Sequence, residues 1–340
     1  MPTYPQVTAA VEIGMLARER DTAAAGQQML RLLKRALGGE AVSLVAMDPF
    51  DGEHHQLAGL DYPEHAALSL AEVFPRTRWF DILLGSPLPQ SISSEPGRSF
   101  RRGRFYNEHL RPAGFRDGMS GALWRDGRYV GLVHLSSDRD GVFNDDARRW
   151  LAAVTPALAV VADVVGQVAH AAGLGRAEYA ALVRGGDVVE VPECALPPML
   201  DDPGFREVVA EFAESAGRRL CCYWPVSRAW YRVTLTVSET PASRPALVLV
   251  RAHPAPLPYG LTSRELDVLT WLAMGATNDL IAQELVLSPR TVHTHVLHLL
   301  RKTRAATRTE AAALAVREGI VRPVPGLPCR MGISRFVSHH

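Results

Sequence analysis

Apolar positions change period several times along the chain, and the changes divide it. Residues 7–38 carry small and apolar residues at helical spacing. Ala41–Met47 (AVSLVAM) then reads as a strand ending at the turn Asp48-Pro49, with His54–Leu60 as its partner across Asp51-Gly52. The spacing predicts helix over 63–84. Gln90–Gly114 has no steady period and is rich in Ser, Pro, Gly and Arg, which predicts a long loop. Gly118–Trp124 and Arg128–Leu135 flank Arg125-Asp126-Gly127, a hairpin signal. After an Asn144/Asp145 cap, 145–170 reads as one long helix. Its face of Trp150, Leu151, Val154, Leu158, Val161, Val165 and Val168 is wider than one sheet needs, so it is also expected to be a dimer surface.

From 173 the pattern shifts. A short strand (Asp187–Val191), a Pro-rich loop (192–203), a helix (Phe205–Ala216) and three strands (Arg219–Trp224, Trp230–Val237, Ala246–Ala252) are expected. Pro254, Pro256 and Pro258 read as a stiff linker. Residues 261–321 are helical throughout. Thr262-Ser-Arg-Glu265 is a capping box opening a helix with Leu266, Val268, Leu269 and Leu272, stopped by Gly275. Thr277 caps a second helix with Leu280, Ile281 and Leu285. Ser288-Pro289 opens a third, to about Thr303, where a missing proline N–H costs nothing. Thr307 and Glu310 form another box and open a fourth, through Val316.

Composition narrows the chemistry. The chain has 340 residues, 47% hydrophobic and 21% charged, with a net charge of +1. That excludes wholesale disorder, and any attraction for nucleic acid must come from a local patch. The four cysteines contain no C-x-x-C pair, so neither a disulfide framework nor a zinc ribbon is expected. Cys221-Cys222 would point to opposite faces of a strand, as structural thiols rather than a redox pair. His54, His55, His109 and His134 lack metal-ligand spacing, and no metal or cofactor is expected. The first residues show no secretion signal, and the apolar stretch 151–172 is interrupted by Pro156, Asp163 and His170, so a membrane span is not expected and a cytoplasmic location is.

The local patch lies in the third helix of the C-terminal segment. Between Ser288 and Arg308 stand Arg290, Arg301, Lys302, Arg304 and Arg308, with His293, His295 and His298 and no Asp or Glu. One side of the helix carries Val292, Val296, Leu299 and Leu300. The other is polar and basic, the arrangement a major groove accepts.

The segment LTSRELDVLTWLAMGATNDLIAQELVLSPRTVHTHVLHLLRKTRAATRTEAAALAV resembles the LuxR/NarL-type helix-turn-helix module of bacterial transcription regulators. The resemblance implies an all-α four-helix DNA-binding domain whose third helix enters the major groove of double-stranded DNA. By position it places His293, Thr294 and Leu297 toward base edges, and Arg290, Thr291, His295 and Arg301 on phosphates or the groove wall. His293 stands where a lysine is usual, and Leu297 where a polar residue is common; a neutral histidine weakens the non-specific term.

The segment DGMSGALWRDGRYVGLVHLSSDRDGVFNDDARRWLAAVTPALAVVAD resembles the closing half of a GAF domain, and the middle strands resemble, more weakly, part of a PAS-like sheet. The whole is then expected to be multidomain: an α+β GAF-like sensor (1–170), a small α+β PAS-like segment with its linker (173–256), the helix-turn-helix domain (257–322) and a tail (323–340). A small-molecule effector pocket would be lined by Trp79, Phe80, Phe105, Tyr106, His109, Phe115 and Trp124. The expected function is a one-component transcription regulator, not an enzyme, acting as a homodimer with RNA polymerase as a further partner.

The alternatives are a protein-interaction module with a degenerate helix-turn-helix and a phospho-controlled response regulator. The second needs a distal lysine, and the first 200 residues hold only Lys34. Residues 1–193 have no cysteine for a sulfoxide-reductase chemistry, and no G-x-x-x-x-G-K-[ST] motif supports an ATPase. An acyl-homoserine-lactone receptor is compatible with the DNA module alone, but the GAF-like pattern and chain length argue against it.

Overall fold

The structure, a computed structural model, describes residues 2–19, 21–95, 99–174, 179–238, 246–324 and 337–338. It divides into two compact units, Met1–Ala171 and Ala172–His340.

The first unit begins with α1 (Tyr4–Leu16) and α2 (Thr22–Leu37). Asp21 caps α2 by accepting from the Ala24 N–H, and Gly38 ends it in the left-handed conformation. Strands β1 (Ala41–Met47) and β2 (His54–Leu60) follow. Next come short helices α3 (Glu64–Leu68) and α4 (Arg78–Leu84), strand β3 (Gln90–Ser91) and helix α5 (Ser99–Arg102). The described part of the expected loop 90–114 is therefore largely structured. Its turns are too short to show a period. The hairpin β4 (Asp117–Arg125) and β5 (Arg128–Ser137) completes an antiparallel sheet of order β2-β1-β5-β4-β3.

β1 and β5 are buried almost throughout because both sheet faces are covered. One face (Val42, Leu44, Val133, Leu135) packs with Met29, Leu30 and Leu33 of α2. The other (Ala41, Val45, Leu132) packs with Leu70, Phe74, Leu83 and Phe105. Gly131 lets the strands close up, since a Cβ there would overlap the Val45 carbonyl oxygen.

The expected single helix over 145–170 is two, α6 (Asp145–Ala162) and α7 (Val164–Ala171), bent by 61°. Asp163 makes the bend. Its Oδ1 accepts from the Gly166 N–H, and its Oδ2 pairs with Arg128 at 3.0 Å and Arg125 at 3.5 Å. A buried carboxylate needs such partners. Within α6, Pro156 removes the donor for the Ala152 carbonyl, and the Thr155 hydroxyl supplies one at 2.9 Å. Trp150, Leu151, Val154, Leu158, Val161 and Val165 are all buried within this unit, with Val168 half-buried. Five of the seven residues expected to form a dimer surface (Trp150, Leu151, Val154, Leu158 and Val161) are thus taken up by the core of their own unit. No single helix among the described residues is long and apolar enough to cross a membrane.

The second unit opens with β6 (Tyr179–Arg184), a strand the sequence pattern did not show, and β7 (Asp187–Glu190). Then come α8 (Pro203–Glu214), β8 (Arg219–Val226), β9 (Ala229–Ser238) and β10 (Leu247–Pro254). The sheet order is β11-β8-β9-β10-β6-β7, with β11 (Val337–Ser338) at its edge. Leaving β11 aside, this repeats the strand order of the first sheet.

Phe205, Val208 and Phe212 of α8 lie in one core with Leu220, Val233, Leu235 and Val250 of the strands. Cys222 is buried and Cys221 half-buried; burial pushes the Cys222 thiol up, out of the reactive range. Cys329, Pro325 and Pro328 lie outside the described residues.

Four helices follow: α9 (Ser263–Ala273), α10 (Asn278–Glu284), α11 (Pro289–Thr303) and α12 (Arg308–Glu318). They share one continuous core with the sheet. After α12 the chain turns at Gly319, whose missing side chain lets it press on Cys221. The Tyr223 N–H donates to the Val321 carbonyl at 2.8 Å, and Arg232 donates to the Glu318 carbonyl at 2.7 Å. Arg322 pairs with Asp267 of α9 at 2.9 Å. The proline stretch 254–258 thus joins parts of one unit, where the sequence had placed a linker between two.

Candidate nucleic-acid interface and interior cavity

Each helix of the C-terminal segment starts where its capping residue stands. The Thr262–Glu265 box is formed in both directions, at 2.8 and 3.2 Å. Thr277 caps α10, Ser288 caps α11 and Thr307 caps α12. At the last of these, Glu310 accepts from the Ala306 N–H instead of closing the expected box on Thr307. The turn between α10 and α11 passes through Val286, at φ 54° and 90% exposed. A β-branched residue is strained there by about 1–2 kcal/mol. Val286→Gly, after glycine's own entropy cost, is expected to stabilise the protein by about 0.5–1 kcal/mol, read as a higher thermal midpoint.

α11 is the amphipathic element of this group. Val292, Leu299 and Thr303 are buried, and Val296 and Leu300 pack against the core. Arg290, His293, Thr294, Leu297, His298, Arg301 and Arg304 are exposed. At 3.6 residues per turn the first six fall within about 140° of arc, and Arg304, left-handed at φ 57°, stands just past the helix end. Thr291 and His295 flank this arc: the Thr291 hydroxyl is bonded to Ser288 at 2.8 Å, and His295 is half-buried. His298 belongs to the same face, and helical spacing alone would have added it to the expected set.

The basic residues of this stretch divide in two. Lys302 reaches away from the face, to the Gly260 carbonyl at 2.8 Å and Glu265 at 2.7 Å. Arg308 donates to the Ala276 carbonyl at 2.6 Å. Both tie the helices together. Arg290, Arg301 and Arg304 have no side-chain partner among the described residues, so three guanidinium groups face outward with no carboxylate competing.

The tie at Glu265 has a pH signature. Burial alone would raise this carboxyl, but the Lys302 ammonium and the Thr262 N–H and hydroxyl outweigh it and hold it below its ordinary value. A lowered folded-state value stabilises at neutral pH, and that contribution is lost as pH falls through it. Lys302→Met is therefore expected to cost about 2 kcal/mol at pH 7. Urea midpoints against pH should show the cost shrinking below about pH 4.

The first unit contains a cavity of about 380 Å³ between the sheet and the α3–α5 layer. Of the seven aromatic and histidine residues expected to line it, Trp79 and Phe105 do. The other five lie outside the lining. Phe80 packs on His54 and Tyr129; Tyr106 donates to the Phe115 carbonyl; His109 bonds Ser69 at 2.9 Å; Phe115 packs on Tyr62; and Trp124 is 46% exposed. In short turns and at strand ends, composition does not tell which ring faces inward.

The cavity's polar floor comes from the strands instead. His134 is in register with Ser120 on β4 and Ser43 on β1. Its Nδ1 bonds the Ser120 hydroxyl at 2.8 Å, and its Nε2 is buried without a partner among the described residues. Burial, with His54 nearby, holds its pKa down to about 3, so the ring is neutral. The Tyr62 hydroxyl donates to Ser136 at 2.7 Å. A histidine and a serine two residues apart on one face of an apolar strand were the available signal.

Comparison with known proteins places the C-terminal helices. The luxR family of bacterial regulatory proteins matches residues 260–315. The transcriptional regulatory protein YxjL of Bacillus subtilis is 43% identical over 72 residues, 21% of this chain and 33% of that protein. YhcZ, from the same organism, is 52% identical over 59 residues, 17% of this chain and 28% of that protein. The chain thus spans about a third of the length of these curated relatives. The phycoerythrobilin-bound GAF domain of a cyanobacterial phytochrome is similar at 13% identity and a TM-score of 0.39, covering 49% of this chain and 96% of that domain. With its caps, its turn and its exposed third helix in place, residues 260–315 form a helix-turn-helix domain of the luxR family of bacterial regulatory proteins.

Proposed function

We propose that this protein is a one-component transcription regulator that binds double-stranded DNA through α11. The carrying observation is the exposed, acid-free face of α11, with Arg290, Arg301 and Arg304 unpaired among the described residues. In this reading His293, Thr294 and Leu297 meet base edges, and Leu297 offers an apolar contact for a thymine methyl. Arg290, Thr291, His295, Arg301 and Arg304 meet phosphates or the groove wall.

One recognition helix reads only a few base pairs, so two protomers on a two-fold-related site are expected. RNA polymerase would be the partner through which the bound protein acts, in the cytoplasm. The first unit is the ligand-controlled part, supported by its cavity. Genome-wide footprinting of the purified protein, followed by sedimentation on a recovered duplex, tests the reading. A recurrent two-fold motif carrying two protomers supports it; sequence-independent coverage or one protomer per site contradicts it.

A further inference from the structure

We infer that the cavity of the first unit takes an uncharged ring compound bearing a hydroxyl group, with His134 and Ser136 as its polar contacts. The inference rests on reading residues 1–171 as the ligand-controlled part and goes on to the chemistry of the ligand. At about 380 Å³ the space suits a molecule of one or two rings. Its walls are apolar and aromatic, including Leu70, Phe74, Trp79 and Phe105.

Two charged residues touch the cavity, and neither serves its floor. Glu95 is engaged by the Ser99 hydroxyl and the Phe100 N–H. Arg78 is exposed, its guanidinium 4.6 Å above the Trp79 ring. A carboxylate or ammonium at the floor would lose its hydration with no counter-charge to replace it.

Just beneath the floor lie unmet hydrogen bonds, which a ligand reaches by shifting a neighbouring side chain such as Phe74, whose ring stands edge-on 5.2 Å from that of His134. His134 is 1% exposed and its Nε2 has no partner among the described residues. Ser136, 2% exposed, accepts from Tyr62 and keeps its own hydrogen to donate. A buried polar atom left unpaired is costly, so a ligand that satisfies it is selected over one that does not. The imidazole is neutral and presents either a donor or an acceptor at Nε2, depending on the tautomer. A hydroxyl matches both, because it can donate and accept.

The test uses the full chain with three probes of one shape: 2-naphthol, naphthalene and 2-naphthoate. Calorimetry at pH 7 is expected to give 2-naphthol a Kd at least ~10-fold below that of naphthalene, the worth of one net hydrogen bond, with 2-naphthoate weakest. In His134→Phe the preference for 2-naphthol over naphthalene should vanish while naphthalene still binds. If that variant does not fold, the ¹⁵N resonance of His134 Nε2 in the wild-type protein should shift with 2-naphthol and not with naphthalene. Equal binding of 2-naphthol and naphthalene, tighter binding of 2-naphthoate, or no binding of any probe overturns the inference. A separate DNA titration with and without 2-naphthol keeps the readings apart: binding that leaves DNA affinity unmoved sinks ligand control and leaves the ligand class standing.

Discussion

The double substitution Arg290→Ala, Arg301→Ala is expected to lower affinity for every duplex by about 100-fold while leaving the thermal midpoint unchanged. The size follows from losing two charge-assisted hydrogen bonds to phosphate, each worth roughly 1.5 kcal/mol or more. The unchanged stability follows from exposure: both side chains lack partners among the described residues, so removing them opens no cavity and orphans no group. The slope of log affinity against log salt should also flatten by about 2. His293→Ala and Thr294→Ala should behave differently, changing which base is preferred with little effect on the salt slope. Titrations of each variant on matched and scrambled duplexes at several salt concentrations separate the two groups. If all four substitutions shift affinity equally on every sequence, the division of α11 into base-facing and phosphate-facing residues is wrong.

A large effect on stability is expected at Asp163. Asp163→Ala removes the cap of α7 and the carboxylate that Arg125 and Arg128 share. Loss of the cap costs about 1 kcal/mol, and loss of the charged hydrogen bonds roughly 2 more. The arginines are each more than a third exposed, so water recovers about half of the second cost. A total of about 2 kcal/mol, read from urea denaturation, is the expected result. A change under about 1 kcal/mol would mean that the bend is held by packing alone. The residues proposed to face DNA lie in the other unit, so affinity at low temperature, where the variant stays folded, is the matching control.

The helix starts at Thr262, Thr277, Ser288 and Thr307 were legible because a cap acts within three residues of itself. The outward face of α11 was legible for a similar reason: periodicity is a property of one helix. Where the sequence is silent, the deciding partner is distant. Lys302 and Arg308 look like any other cations in the stretch, but their partners stand 42 and 32 positions away. The break at Asp163 has a local part, the Gly166 N–H, but its counter-charges Arg128 and Arg125 sit 35 and 38 residues earlier in a hairpin. β6 was missed because Tyr179–Arg184 carries buried residues on both faces and shows no alternation. The loop aromatics mark only one wall of the cavity, because its polar floor is built on β4 and β5.

By itself, the amino-acid sequence determined the kind of most elements, the four capped helices and the acid-free basic face, since caps, turns and amphipathic stripes are settled by neighbours a few residues apart. Only the tertiary structure decided which cations remain free, which histidine is left with an unmet hydrogen bond, and that the middle sheet and the C-terminal helices share a core. Those outcomes depend on contacts between residues far apart in the chain, and burial, pairing and desolvation are set only once such residues meet.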